Sequence, residues 1–101
     1  LLSLLLSLIC VYVVGQGIVR GKVVDNLGET IIGATVILKS DPGTGAVADF
    51  DGNYSINITS AEPVTLVYTF IGMTSFEQEV NPKNGEVVIV NVELVPKNFE
   101  L

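Results

Sequence analysis

The run Asn53-Tyr-Ser-Ile-Asn-Ile58 alternates polar and apolar residues without a break. Period two belongs to a strand with one buried face. Tyr54, Ile56 and Ile58 are therefore expected to point into a core, and Asn53, Ser55 and Asn57 into water. Just before it stands Asp49-Phe-Asp-Gly-Asn53. Asp favours turn starts and Gly52 takes positive φ at no steric cost, so this segment reads as a tight turn. Thr44 to Ala48, entered through Pro42 and Gly43, reads as the strand on the other side. The whole resembles a hairpin, and a lone hairpin is at best marginally stable in water. The remaining apolar runs must supply the sheets around it.

The same period recurs along the chain. Ile18 to Asp25 places Val19, Gly21 and Val23 on one face, with Arg20 and Lys22 on the other. Gly21 has no side chain to bury on that inner face, which implies close approach of another backbone. Asp25-Asn-Leu-Gly28 is a turn, Glu29 to Ile32 an extended connection, and Gly33 a bulge or a change of sheet. Ala34 to Lys39 turns Ala34, Val36 and Leu38 inward, and Thr35, Ile37 and Lys39 outward. Thr59 to Pro63 is a loop. Val64 to Phe70 is the most apolar run and reads as a central strand, with Leu66, Tyr68 and Phe70 on one face. Ile71-Gly-Met73 bends the chain. Ser75 to Val80 sets Phe76 and Val80 inward, with Glu77 and Glu79 outward. Asn81-Pro-Lys-Asn-Gly85 is a turn cluster. Val88, Val90, Val92 and Leu94 form the inner face of one last strand, which Pro96 ends. Seven short strands with turn signals between them, and no amphipathic helix, predict an all-β fold. The expected architecture is a seven-stranded antiparallel sandwich of immunoglobulin-like, transthyretin-like kind.

Residues 1–14 are a different material: uncharged and almost wholly apolar. As a helix they would span roughly 21 Å against about 30 Å of bilayer core. That is short for a span and suits the apolar region of a signal peptide. Small residues at Val13 and Gly15 fit a cleavage site, leaving Gln16 as the mature start. The expected division is a signal segment over 1–15, truncated at its start, a sandwich over 16–95, and the start of a linker over 96–101. Cys10 is the only cysteine. Ile9 before it does not suit a lipoprotein box, and the mature domain is expected to have no disulfide.

The net charge of −6 falls on residues after the apolar segment. It argues against nucleic acid, which needs a basic footprint, and against docking on anionic lipid. Histidine is absent, which removes the usual general base and the commonest metal ligand. Asp49-Phe-Asp-Gly-Asn53 invites a calcium reading, yet counting back from Gly52 the first ligand of an EF-hand loop would be Val47. Without His no Ser/His/Asp arrangement can form, and no Ser-x-x-Lys occurs. Glu77 and Glu79 read as a solvated edge rather than an acid/base pair, and Tyr68 and Phe70 as core rather than a sugar platform. No catalytic, cofactor-binding or metal site is expected, and no enzyme activity.

Four segments taken together resemble a known family. They are Val19-Arg-Gly-Lys-Val-Val-Asp-Asn-Leu-Gly-Glu29, Ile32-Gly-Ala-Thr-Val36, Thr44-Gly-Ala-Val-Ala-Asp-Phe-Asp-Gly-Asn-Tyr-Ser-Ile56 and Leu66-Val-Tyr-Thr-Phe-Ile-Gly-Met73. In order and spacing they are similar to the carboxypeptidase-regulatory-like domain, and more narrowly to the version at the N-terminus of SusC-like TonB-dependent outer-membrane transporters. Met73 departs from that pattern, which usually has Tyr there. The resemblance implies a non-catalytic extension at the periplasmic face of the outer membrane, exported through a signal peptide. It also implies, as partners, the plug and barrel of the same glycan-type nutrient transporter and the TonB system, without insertion of the domain into the membrane. These 101 residues hold no plug and no barrel, so the chain is expected to be either a fragment of such a transporter or a free-standing accessory domain. The same sandwich also serves as a structural or adhesion domain, and as an accessory domain of metallocarboxypeptidases.

Overall fold

The computed structural model describes residues 17–98, and the signal segment expected over 1–15 lies outside them. Eight strands follow one another: β1 Gly17–Asp25, β2 Thr35–Leu38, β3 Asp41–Val47, β4 Asn53–Ile58, β5 Val64–Thr69, β6 Phe76–Val80, β7 Val87–Ile89 and β8 Val92–Leu94. They form two sheets. In the first, β4 pairs antiparallel with one edge of β1, while β7 and β8 pair in parallel with β1. The second runs β3-β2-β5-β6 and is antiparallel throughout. No helix occurs among the described residues.

The alternation seen in the sequence is the alternation of burial. β4 reads exposed, buried, exposed, buried from Asn53 to Ile58. Val19 and Val23 of β1, Val36 of β2, Leu66 and Tyr68 of β5, Val80 of β6, and Val92 and Leu94 of β8 join Tyr54, Ile56 and Ile58 in one core between the sheets. Ile31, Ala34 and Ala48 close it from the connections. No buried side-chain polar atom among the described residues lacks a partner. Ile37, apolar and outward, lies over Gly45 of the neighbouring strand.

Three features differ from the sequence reading. The segment around Asp49 is strand, turn, strand, but not a hairpin: β3 pairs with β2 and β4 with β1, so the turn carries the chain from one sheet to the other. Local sequence cannot distinguish the two, because each strand's alternation records only that one face is buried. The final strand is two strands, making eight rather than seven, and both pair in parallel with β1. The register is unchanged across the break: Ile18 lies opposite Val87, and Val23 opposite Val92. Lastly, Phe70 and Phe76, expected inside, are 37% and 39% exposed. Phe70 falls just beyond the end of β5, and Phe76 begins the edge strand β6, opposite Tyr68, with the two ring centroids 6.1 Å apart.

Candidate functional site

The break between β7 and β8 is built around Gly21. Gly21 lies opposite Tyr54 across the β1–β4 pair. A Cβ at Gly21 would meet the Val90 carbonyl directly, so the expected backbone approach is real and only glycine leaves room for it. Val90 N–H still donates to Arg20 O at 2.9 Å. The acceptor for Lys22 N–H is the Asn91 side chain, Oδ1 at 3.0 Å. The Val90 carbonyl is thereby free to accept from the Tyr54 hydroxyl at 2.6 Å, and Tyr54 in turn bonds the Tyr68 hydroxyl at 2.7 Å. A hydroxyl has one proton and Val90 O can only accept, so Tyr54 donates to Val90 and Tyr68 donates to Tyr54. The two rings meet edge to face, centroids 5.4 Å apart. This chain of bonds ties the first sheet to the second through the core. Burial pushes both phenols above the ordinary value. For Tyr54 the bond with Tyr68 works against burial, and for Tyr68 the bond with Tyr54 adds to it. Both hydroxyls are neutral, bonded and enclosed, and the arrangement is structural.

At one end of the sandwich the chain makes the same five-residue turn twice. In Asp25–Glu29 and again in Asp49–Asn53 the carboxylate Oδ1 accepts the N–H two and four residues on: Leu27 at 2.8 Å and Glu29 at 3.0 Å, then Asp51 and Asn53 both at 2.9 Å. In each the fourth residue is a glycine at positive φ, Gly28 at 80° and Gly52 at 79°. A third turn at this end, Phe70–Met73, is closed by Met73 N–H to Phe70 O at 3.0 Å. The connection that follows the first turn, Thr30 to Gly33, runs beside the other two. A Cβ at Gly52 would press on Thr30, and one at Gly33 would lie 3.9 Å from the Phe70 ring. The chain also leaves here: Met73 bridges Pro96, and Lys97 N–H donates to Gly72 O at 2.9 Å. A shallow cleft of about 450 Å³ lies beside this exit, lined by Gly33, Phe70, Ile71, Met73, Ser75 and Lys97 among others.

A second, wider groove of about 860 Å³ crosses the outer face of the first sheet. It collects Arg20, Lys22, Asn53, Ser55, Ile89 and Asn91, with Asp49 and Glu93 also lining it, and so has no dominant charge. The sequence candidates fall apart in space. Asp49 spends its Oδ1 on two backbone N–H groups, whereas Glu77 pairs with Lys39 at 3.1 Å on the exposed surface. Among the described residues no three His, Cys, Asp or Glu side chains converge as metal ligands. Tyr68 is buried and Phe70 stands at the cleft, so the two form no platform. Sequence reading passed over the turn centres Leu27, Phe50 and Ile71. The available signal was an apolar residue inside a turn that polar residues would make equally well.

Comparison with known proteins agrees with this geometry. Residues 19–101 match the CarboxypepD_reg-like domain family. The chain belongs to that family. The CarboxypepD_reg-like domain is 33% identical over 91 positions to the TonB-dependent receptor SusC of Bacteroides thetaiotaomicron, covering 79% of this chain and 9% of the relative. It thus spans about a tenth of the length of that relative. Among solved structures it is similar to a chain of a type II cohesin–X-dockerin complex from Acetivibrio cellulolyticus, with a TM-score of 0.67, 16% identity and coverage of 84% of this chain and 61% of that one. It is also similar to catechol 1,2-dioxygenase of Acinetobacter radioresistens, with a TM-score of 0.65, 15% identity and coverage of 83% and 53%. At such identities the likeness is one of fold, and the sandwich of the CarboxypepD_reg-like domain is of immunoglobulin-like kind.

Proposed function

We propose that this sandwich is a non-catalytic extension of a TonB-dependent outer-membrane transporter, lying at its periplasmic face and acting as an interaction module for import of a glycan-type nutrient. The observation that carries the reading is the 33% identity to a TonB-dependent receptor. That match takes in most of this chain and only a small part of the relative. The interior supports a module rather than an enzyme: its polar groups are two neutral tyrosines bonded to each other and to the main chain. The acidic balance suits a protein partner better than an anionic membrane or a nucleic acid. Sequencing the coding region on both sides, then deleting residues 17–98 from the whole protein, tests the reading. The expected result is a downstream plug and barrel, a variant that still inserts in the outer membrane, and weakened growth on the transported nutrient. A downstream zinc peptidase, or a string of further sandwiches, would replace this reading with an accessory or an adhesion role.

A further inference from the structure

Leu27, Phe50 and Ile71 are 77%, 84% and 93% exposed, more than any other large apolar side chain among the described residues. They sit within the three turns that lie at the exit end. The turns do not need them: Asp25 and Asp49 bind the main chain of the first two, and glycine supplies the positive φ in each of the three. The opposite end of the sandwich, with the connections Thr59 to Pro63 and Asn81 to Glu86, carries no comparable residue. Apolar side chains gathered on one exposed face, with no role in folding, mark a contact surface.

We infer that these three tips, with the adjoining cleft at Phe70 and Met73, form the face that docks on the folded body of the same transporter polypeptide, at an apolar surface bordered by basic side chains. The inference rests on the transporter reading above and names the surface that reading would use. Two observations select this occupant. The chain leaves the domain at Lys97, hydrogen-bonded beside Ile71, so whatever follows begins next to the tips and meets them at high effective concentration. The turns themselves carry Asp25, Glu29, Asp49 and Asp51 and no cation, while Lys97 stands at the exit and Lys22 in the groove that Asp49 also lines. That charge disfavours an anionic lipid surface and a face-to-face second copy, and favours a basic border on the partner.

The test uses the full-length transporter in its outer membrane, with a photo-crosslinking residue placed at Phe50 or Ile71, and at Ala61 or Lys83 on the opposite end. The tip positions are expected to join to peptides from the plug or barrel of the same chain, several-fold more than the opposite end does. Products with lipid, with a second copy or with another protein, or equal yields at both ends, overturn it. A second measurement follows F50S/I71S in the same protein. Proteolysis of the link beyond residue 98 should accelerate several-fold, while amide exchange in β2 and β5 stays unchanged; an unaltered cleavage rate counts against the docking face. If the coding region holds no barrel, the transporter reading falls and takes this inference with it. If the barrel is there and uptake needs the domain, yet both ends crosslink alike, this inference falls alone.

Discussion

Gly21 is the residue on which the interior depends most closely. Tyr54, Gly21 and Val90 lie in a row across β4, β1 and the β7–β8 break, and the missing Cβ lets the tyrosine hydroxyl reach the carbonyl. Gly21→Ala places a methyl group on backbone that cannot swing aside. It should cost about 3 kcal/mol or more, read from urea melts. The direction of the hydroxyl chain makes a sharper prediction. Tyr54→Phe orphans both Val90 O and the Tyr68 proton, and should cost about 1–3 kcal/mol. Tyr68→Phe removes one donor and leaves Tyr54 bonded to Val90, so its loss should be nearer 1 kcal/mol. Equal losses would mean that the proton order is reversed. Both phenols titrate above their ordinary 10.0 when folded. Above that pH the unfolded chain has released protons that the folded chain retains, so stability falls as pH rises. The slope is at most about 1.4 kcal/mol per pH unit for each tyrosine, and neither contributes a slope below that range. Melts of the parent and of Y54F/Y68F should differ by a constant amount below about pH 10, and that difference should shrink above it as the parent alone loses stability.

At the scale of elements, the turn at Asp49 matters because it carries the chain between sheets. Its carboxylate fixes two N–H groups, so Asp49→Ala should cost about 1 kcal/mol, comparable to the loss of a helix-capping side chain. The Asp25 turn has the same pattern, and Asp25→Ala should match it. What was legible in the sequence divides along the same line. Period two placed Val19, Val23, Val36, Ile56 and Leu66 inside, and Asp-x-x-Gly placed two turns, because both signals are local. Gly21 signalled a close approach, though not which backbone approaches. Pairing partners were not legible: nothing local distinguishes a turn that folds β3 back on β4 from one that delivers β4 to β1. Nor does Val-Val-Ile-Val-Asn-Val-Glu-Leu show that Asn91 interrupts the ladder, since the alternation of faces runs through the break unchanged. The docking turns were visible as turns, and only the fold brings their apolar centres to one end.

For the whole molecule, stability has to come from a core filled by both sheets, since the described residues contain no cysteine for a disulfide and the Lys39–Glu77 ion pair on their surface is exposed and contributes little. Leu66 sits at the middle of that core, fully buried on the central strand β5 between β2 and β6. Leu66→Ala removes methyl groups and leaves a cavity that neighbours on both sheets cannot all collapse into, at a cost of roughly 2–5 kcal/mol. Ser55 is exposed on the outer face of β4, so Ser55→Ala should stay within about 0.5 kcal/mol. Because one core serves both sheets, the loss at Leu66 should appear in a single cooperative transition, with the same midpoint by fluorescence and by circular dichroism. Two separated midpoints would mean that the sheets melt independently, and that the tyrosine chain between them contributes nothing to their coupling. Calcium or chelator should leave that midpoint where it is, because Asp49 already directs its bonding oxygen at its own turn. A rise of the midpoint with calcium would require a site that binds the folded state, and would place ligands at Asp49 and Asp51 after all.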